Sequence, residues 1–568
     1  MYSAISFLKT ENINTRIHLR SLNRQKGSVN VSATYVFLNG EILTMDESQT
    51  ICEAIAINEN RIVALGTSKE MNKWIGTSTK VIDLEGKTLM PGFIDAHLHF
   101  VIYGVSQFNV DCKAKHIQSI DDILTELKNR AATTPKGKWL RASGFNENAV
   151  REQRYPTIEE LDTVSTEHPI VITRTCSHIG IVNHHALQLA NITLTTPDPA
   201  GGIIEKNEHG EFTGRLIESA YMSFNNVAVY TPEELTEAMQ IAQAHFFEKG
   251  ITSVHDAGTF DANSFRILQL AAQKREVKIR IYAMIASLND CKLFTGNMMD
   301  AGIVTGIGNE YFKIGPAKLF TDGSSTGPTI ATREGYTSDP NNFGITYYTE
   351  DEIYEVLGKA HALGYQVTVH AQGDKAIEMY LNVIERALKE YPREDHRHRI
   401  EHAGITTPDL QQRIKELNMI PIPNPAFPYE FGHIYRKHYG ERTDYMYASK
   451  DFLNHGIICA AGSDSPVTTY NPMIGVHTAV NRQIHDGTPF STQQKVELLD
   501  ILKMYTYNAA YASFEENIKG SLEVGKLADL IVLDETITKV DPTSLKDVGV
   551  ELTMLDGEIV FEKSLQKL

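Results

Sequence analysis

The chain has 568 residues, of which 42% are hydrophobic, and its formal net charge is -17 at pH 7. This length and composition allow a large buried core, arranged as several domains or as one large barrel with additions. The charge is spread without a basic stripe, which excludes a nucleic-acid partner and favours a neutral or cationic small molecule. No apolar run reaches the ~20 residues of a membrane-spanning helix, so we expect no membrane partner.

The cysteines and the N-terminal segment indicate the cellular compartment. The five cysteines are far apart and form no C-x-x-C pair, which argues against a disulfide framework and against a thiolate zinc site. We therefore expect a cytoplasmic protein. Residues 1–30 carry five Lys or Arg residues against the single acid Glu11. We interpret this segment as a disordered extension; an organellar transit peptide is the alternative, although no apolar signal core accompanies it.

Both ends of the chain carry short alternating apolar runs that are broken by turn residues. ATYVFLNGEILTM and CEAIAINENRIVALG lie near the N terminus, and GSLEVGKLADLIVLDE and ELTMLDGEIVFE lie near the C terminus. Runs of this kind predict strands joined by hairpins. We predict one small β-sandwich domain composed of residues 31–90 and 515–568.

Eight further β-type runs lie between these ends, and helical sequences separate most of them. The runs are LMPGFIDAHLH, GITSVHDAG, VKIRIYAMI, FKIGPAKLFTDG, GYQVTVHAQG, HRIEHAG, MIPIPNP and GIICAAGSDSP. Strands that alternate with helices form parallel βαβ units, and eight such units form a (β/α)8 TIM barrel. The sequence thus predicts an α/β fold with a barrel over residues 91–514. The long interval after the first run predicts an insertion over about residues 110–230.

Two histidines close the first predicted barrel strand. His97 and His99 alternate with Leu98 in PGFIDAHLHF. Because side chains alternate across a strand, both imidazoles face the same side and could bind one metal ion. The chain has 21 histidines, so a chance surface pair is an equal alternative when this motif is considered alone.

Other predicted strand ends carry suitable ligands too. His370 ends GYQVTVH, His402 closes HRIEH, and Asp464 follows CAAGS. Each one alone also suits a structural role, as a hydrogen-bonded core histidine or a turn aspartate. Together they favour a metal site, because TIM-barrel active sites lie at the C-terminal strand ends and this ligand set suits zinc, manganese or iron.

Lys318 lies inside the apolar run GPAKLF. Burial makes a charged lysine costly, which favours a neutral or chemically modified amine. A lysine that reaches solvent or forms a salt bridge is the alternative.

Six segments together resemble one family. PGFIDAHLHF, AKLFTDGS, VTVHAQGD, RIEHAG, GSDSPV and GSLEVGKLADLIVLD are similar to motifs of the metal-dependent amidohydrolase superfamily and occur in its order. The similarity is greatest to the subgroup of YtcJ-like and N-substituted formamide deformylase-like proteins (amidohydrolase family 3), and it extends from about residue 34 onward. The resemblance also implies the small β-sandwich.

The resemblance implies a binuclear metal site. It assigns His97, His99 and Asp464 to one metal ion and His370 and His402 to the other. Lys318, carboxylated by carbon dioxide, would bridge the two ions, which would hold the negative charge of the carbamate. Zinc is the expected metal, with manganese and iron as alternatives.

The reaction that this site implies is hydrolysis of a non-peptide carbon–nitrogen bond, an amide, in a small molecule by metal-activated water. Asp464 is the expected general base and then general acid, and Asp95 and Asp374 are expected to orient the ligands. A deaminase or lactonase that uses the same site is an alternative, because fold and metals do not fix the substrate. A non-enzymatic regulatory protein on the same scaffold is another.

The predicted insertion contains RTCSHIGIVNHHAL, which resembles a subgroup segment that carries a histidine and an asparagine. The matching residues here, His178 and Asn183, are expected to form one wall of the substrate pocket; for His178, capping a strand is the alternative. Apolar surfaces allow a homo-oligomer, but the sequence does not locate its interface.

Overall fold

The ends of the chain form two β-sheets that pack face to face. The protein is represented by a computed structural model that describes residues 32–175, 178–224, 227–288 and 290–563, so the predicted extension over residues 1–30 lies outside the described residues. The four-stranded sheet consists of Tyr35–Leu38, Ala54–Asn58, Arg61–Gly66 and Lys80–Asp83. The six-stranded sheet consists of Glu41–Leu43, Ile51–Cys52, Thr88–Pro91, Leu530–Leu533, Val550–Leu555 and Glu558–Glu562. Strands from both termini therefore complete one β-sandwich, as predicted.

The apolar core of this sandwich explains why the distant segments associate. Phe37 and Ile55 of the first sheet pack with Leu89, Leu530 and Met554 of the second sheet, and all five side chains are buried. Phe37, Ile55 and Leu89 come from the N-terminal segment, whereas Leu530 and Met554 come from the C-terminal segment, so the two ends of the chain bury apolar side chains against each other.

Seven parallel strands form the barrel sheet. In spatial order they are Ile420–Ile422, Arg399–His402, Val367–Ala371, Phe312–Phe320, Arg280–Ile285, Ile251–Asp256 and Phe93–Leu98. The eighth predicted run lacks regular strand structure, yet it lies between the two edges of this sheet. Ala460 N–H donates to Pro421 O at 3.2 Å, and Ala96 N–H donates to Ala461 O at 3.0 Å. These backbone hydrogen bonds close the barrel, and the TIM-barrel prediction is confirmed.

Helices surround the barrel. They are Phe100–Ser106, Pro232–Glu248, Ala262–Gln273, Cys291–Asp300, Glu350–Ile353, Lys359–Ala362, Asp374–Glu390, Pro408–Glu416, Phe427–Tyr439, Ser449–Asn454, Pro472–Asn481, Leu498–Met504 and Tyr507–Ala512. The apolar faces of most of these helices pack in one large core with the strands, while those of Phe427–Tyr439 and Tyr507–Ala512 belong to two smaller apolar clusters. Among the described residues, no helix has the length and apolar character needed to cross a membrane.

The predicted insertion follows the first barrel strand, and in the structure it contains a six-stranded sheet. Its strands are Asn109–Asp111, Leu140–Phe145, Ile170–Arg174, Ile179–Val182, Gly202–Lys206 and Phe212–Glu218. Its helices are Ile120–Thr133, Ile158–Asp162, His184–Leu189 and Ser219–Phe224. We call the six strands the insertion sheet.

Candidate metal centre

The strand ends of the barrel bring a carboxylate against two imidazoles. Asp464, in the segment that closes the barrel, has its Oδ1 atom 3.5 Å from Nε2 of His97 and 3.5 Å from Nε2 of His99. Potential ligand atoms of His97, His402 and Asp464 all lie within 4.8 Å of one another, and all three residues are buried. This spacing is what several ligands of one small ion require.

The remaining histidines continue this cluster. The ring centroids of His370 and His402 are 4.5 Å apart, and those of His402 and His97 are 4.6 Å apart. His402 therefore lies between the two predicted metal positions, close to ligands of both. The predicted division of ligands between two ions stays a prediction.

Each of the four histidines uses one ring nitrogen for a partner in the protein. The contacts are His97 Nδ1 to Glu401 Oε2 at 2.5 Å, His99 Nδ1 to Gly258 O at 3.1 Å, His370 Nε2 to Gly323 O at 2.9 Å, and His402 Nδ1 to Asn424 Oδ1 at 2.7 Å. A partner of this kind fixes the tautomer and orients the ring, which leaves the other nitrogen available to a metal.

The second ring nitrogen of His97 has the environment expected of a metal ligand. Its Nε2 atom is buried and has no hydrogen-bond partner among the described residues. Burial lowers the pKa of His97 and His402 well below the ordinary value, that of His99 to about 3 and that of His370 to about 4. These imidazoles are therefore neutral at pH 7, as metal binding requires, and the residues fit a divalent metal ion.

Lys318 lies among these groups on the barrel strand Phe312–Phe320. It is fully buried, and Nζ donates to Ala257 O at 2.9 Å. It forms no ion pair with any carboxylate of the described chain, and burial lowers its pKa. Lys318 therefore neither reaches solvent nor pairs with a carboxylate of the described residues, and burial disfavours its charged form.

Backbone conformation at the strand ends is strained where two of these groups lie. Asp464 has φ 59° and His402 has φ 72°, values in the left-handed region that residues other than glycine rarely adopt. Such conformations cost about 1–3 kcal/mol each and are concentrated at functional sites. The surrounding fold holds both residues in position at the expense of stability.

Known proteins are similar to this chain over nearly its whole length. The sequence profile described as "Amidohydrolase family" matches residues 80–561. The chain belongs to the amidohydrolase family. This amidohydrolase is 28% identical over 541 residues to N-substituted formamide deformylase from Arthrobacter pascens. The alignment covers 93% of this chain and 98% of that protein.

Two further comparisons agree. The amidohydrolase is 29% identical over 540 residues to the putative amidohydrolase YtcJ of Bacillus subtilis (strain 168), covering 93% of this chain and 99% of that protein. The crystal structure of an uncharacterized metal-dependent hydrolase from Pyrococcus horikoshii OT3 superposes with a TM-score of 0.74 and 27% identity, covering 90% and 99% of the two chains. The protein is thus a metal-dependent hydrolase that acts on carbon–nitrogen bonds.

A buried ion pair supports the metal centre of this amidohydrolase, and the sequence analysis missed it. Arg399 donates to Glu401 through Nε at 2.8 Å and Nη2 at 2.9 Å, and both residues are fully buried. Thr368 Oγ1 donates to the same carboxylate at 2.7 Å, and His97 uses its other oxygen. Alternating charges in the apolar strand RIEH were the signal that could have revealed this pair.

The two carboxylates expected to orient the ligands of the amidohydrolase differ in what they contact. Asp95 Oδ1 accepts from the backbone N–H groups of His97 at 3.1 Å and Ser463 at 3.0 Å, so it ties together the two segments that carry ligands. Asp374 Oδ1 instead accepts from the backbone N–H of Arg333 at 2.9 Å. Asp374 lies at the start of the helix Asp374–Glu390 and holds a loop, and its predicted role in orienting the ligands stays a prediction.

The two residues predicted to form the pocket wall lie in different environments. Asn183 is fully buried and caps the helix His184–Leu189; its Oδ1 accepts from Ala186 and Ile170, and its Nδ2 donates to Ser165 and His168. These bonds occupy its amide group, and the contact of Asn183 with a substrate stays a prediction. His178 is half-exposed, and its Nδ1 atom lies 2.9 Å from Glu218 Oε2. Its role in substrate binding stays a prediction.

Proposed function

We propose that this amidohydrolase cleaves a non-peptide amide bond of a small molecule at a binuclear metal site. The observation that carries the proposal is the buried Nε2 atom of His97, which has no partner among the described residues and belongs to a cluster of ligand atoms. The proposed ligands are His97, His99, Lys318, His370, His402 and Asp464. Zinc is the proposed metal, with manganese and iron as alternatives.

When bound, divalent ions at such a site lower the pKa of a bound water and polarise the amide carbonyl. Asp464 moves the proton. Without a bound cation, burial raises the pKa of its carboxyl to about 7; a bound cation would lower this pKa and favour the carboxylate, the form that accepts a proton. The carboxylate takes a proton from the attacking water and then gives it to the leaving nitrogen, which departs as a neutral amine.

Lys318 supplies a further ligand after a chemical modification. Its buried, neutral Nζ amine adds to the carbon of carbon dioxide, which forms one N–C bond and releases one proton. The resulting carbamate carries one negative charge and would supply oxygen ligands to both ions. Full burial and the lack of an ion pair among described residues favour this assignment over a charged lysine.

Metal content tests the binuclear site. We would count metal atoms per chain by elemental mass spectrometry after loading with zinc and bicarbonate, in wild type, Lys318→Ala and Lys313→Ala. Lys313 lies on the same strand, but its Nζ donates to Ser513 O and Phe514 O, which makes it the matched control. We expect two equivalents in wild type and Lys313→Ala, and one or fewer in Lys318→Ala. Near-zero metal in loaded wild type would overturn the proposal.

A substrate panel tests the reaction itself. Metal-loaded enzyme would be incubated with formamides, N-acyl amines and cyclic imides, and in parallel with aminopurines, aminopyrimidines and lactones. We expect amine release from an amide. Ammonia release from an aminopurine, or lactone opening without amide cleavage, would replace amide hydrolysis by deaminase or lactonase activity. No turnover on either panel by enzyme holding two metals would favour a regulatory role.

A further inference from the structure

One face of the insertion sheet carries polar side chains toward the barrel. Strands Leu140–Phe145 and Ile170–Arg174 pair in parallel, with Arg141 opposite Val171 and Ser143 opposite Thr173. Since alternate residues of a strand share a face, these four side chains point the same way. The opposite face, which includes Leu140 and Ile172, packs in the apolar core of the insertion.

This polar face borders a cavity of about 670 Å³. The barrel forms the opposite wall through Ile102 and Val105 of the helix Phe100–Ser106 and through Phe260. Pockets of about 300–1,000 Å³ commonly hold small organic ligands. None of the six proposed metal ligands lines the cavity, so it is distinct from the metal centre.

Arg141 is the cation of this cavity. It is 9% exposed, and its guanidinium lies 4.1 Å from the ring centroid of Tyr230 and 5.5 Å from that of Trp139. Its Nη2 atom donates to Ala228 O at 2.9 Å and Val229 O at 3.4 Å, while Nε and Nη1 donate to no residue that the structure describes. Two of the three guanidinium nitrogens are therefore available to a ligand.

The acidic side chains near Arg141 form their ion pairs and hydrogen bonds with other groups. Arg141 forms no ion pair within the described parts of the chain. Glu234 pairs with Lys138 at 3.2 Å, and Asp261, which lines the cavity, accepts from Ser264 N–H at 2.8 Å as a helix cap. A buried guanidinium without a counter-ion is unfavourable, so an anion that enters the cavity would gain a strong partner.

We propose that this cavity binds a small organic monocarboxylate, with Arg141 as its anchor. Because Nη2 is occupied by two carbonyl groups, a carboxylate would accept one charge-assisted hydrogen bond from either Nε or Nη1. A single cation compensates one negative charge, and Val171, Tyr230 and Phe260 supply apolar and aromatic walls for an organic body. These walls favour an organic monoanion over inorganic phosphate, which has no apolar part.

Two sources share this chemistry: a carboxylate end of the amide substrate, or a separate ligand. The helix Phe100–Ser106 directly follows His99, so the cavity and the metal centre share a structural element. Binding of the carboxylate does not rest on the proposed hydrolysis, because calorimetry measures binding without any turnover.

Isothermal titration calorimetry with phenylacetate tests the site, with neutral phenylacetamide and inorganic phosphate as matched probes. The proteins are metal-loaded wild type, Arg141→Gln, Val171→Phe and His97→Asn. Arg141→Gln removes the charge, Val171→Phe fills the cavity and keeps Arg141, and His97→Asn damages only the metal centre. Circular dichroism checks that each variant is folded.

We expect phenylacetate to bind wild type and His97→Asn equally, and to bind Arg141→Gln and Val171→Phe at least about tenfold more weakly. Phenylacetamide and phosphate should bind weakly to all four proteins. No binding to wild type, equal binding to Arg141→Gln, or loss only in His97→Asn would overturn the proposal. The last outcome would mean that the carboxylate binds the metals.

A kinetic comparison separates the two sources. If an amide substrate is found, a carboxylate-bearing form and a neutral form are assayed with wild type and Arg141→Gln. A KM that rises only for the acidic substrate would assign the site to the substrate. Unchanged kinetics, together with the calorimetric loss in Arg141→Gln, would assign it to a separate ligand.

Discussion

Replacement of Glu401 by glutamine tests whether the buried acid behind His97 controls metal affinity. The change keeps the size of the side chain and removes its negative charge. In the structure, His97 Nδ1 lies 2.5 Å from this carboxylate, and Arg399 donates two hydrogen bonds to it. The neutral amide is a weaker acceptor for both partners, so the His97 ring becomes less basic and less firmly oriented.

Two magnitudes follow from these contacts. Breaking a buried ion pair costs about 3–5 kcal/mol, since one charge remains without a partner. We expect the lower end of this range, because Arg399 Nη2 also donates to Ala96 O at 2.6 Å. Loss of a partner behind a metal ligand weakens metal binding by about 10- to 100-fold. Glu401→Gln should therefore lower both the free energy of unfolding and the affinity for zinc.

The matched control is a similar ion pair far from the metal centre. Asp529 accepts from Arg280 Nε at 2.6 Å and Nη2 at 2.9 Å, and both residues are buried. Asp529→Asn should lose comparable stability in urea unfolding. In zinc competition titrations with a chromophoric chelator, however, it should behave like wild type. Unchanged zinc affinity in Glu401→Gln, or an equal decrease in Asp529→Asn, would refute the reasoning.

Three further predictions concern packing, capping and pH. A Cβ atom at Gly462 would lie 2.6 Å from Cβ of His97, so Gly462→Ala should lose about 2–4 kcal/mol of stability and most of its bound metal. The control Gly296→Ala has no atom within 4 Å of the added Cβ, and it should keep its stability and its metal. Urea unfolding and metal analysis measure the two effects. Asn183→Ala should lose about 1–3 kcal/mol of stability, because the cap and its hydrogen bonds are removed, and it should keep the wild-type KM. A raised KM would instead support substrate binding by Asn183. Burial lowers the pKa of His396 to about 4, so the folded state binds fewer protons than the unfolded state between pH 4 and about 6.5. The free energy of unfolding should decrease as the pH falls through this window, and His396 contributes at most about 3 kcal/mol to the decrease. The decrease should be less steep in His396→Gln. If urea unfolding gives the same dependence on pH in both proteins, this prediction is contradicted.

The position of the eighth barrel segment could be predicted from the sequence, but its lack of regular strand structure could not. The sequence predicted a strand in GIICAAGSDSP, and the segment does close the barrel, but it makes too few regular hydrogen bonds to count as a strand. Its neighbour contains Pro421 and Pro423, whose nitrogens cannot donate to it. At Gly462 the chain also approaches His97 so closely that a side chain is not tolerated.

The partners of the ligands were harder to predict than the ligands themselves. Alternation places His97 and His99 on one side of the first barrel strand. The apolar or small-residue runs before them place His370, His402 and Asp464 at strand ends. Glu401 and Arg399 lie within such a run and are paired with each other, and only the folded barrel places His97 beside them. For Asn183 the sequence could not reveal the helix cap, because a helix cap and a substrate contact use the same polar group.

The sequence by itself determined the β-sandwich at the two ends, the barrel with its insertion, and the residues that come to the strand ends. These depend on periodicity, which is a local property of the chain. Only the tertiary structure decided which charges are paired. It shows Glu401 compensated by Arg399, Lys318 buried without an ion pair among described residues, and Arg141 facing a cavity. Charge compensation depends on groups that are distant in sequence, so local pattern does not contain it.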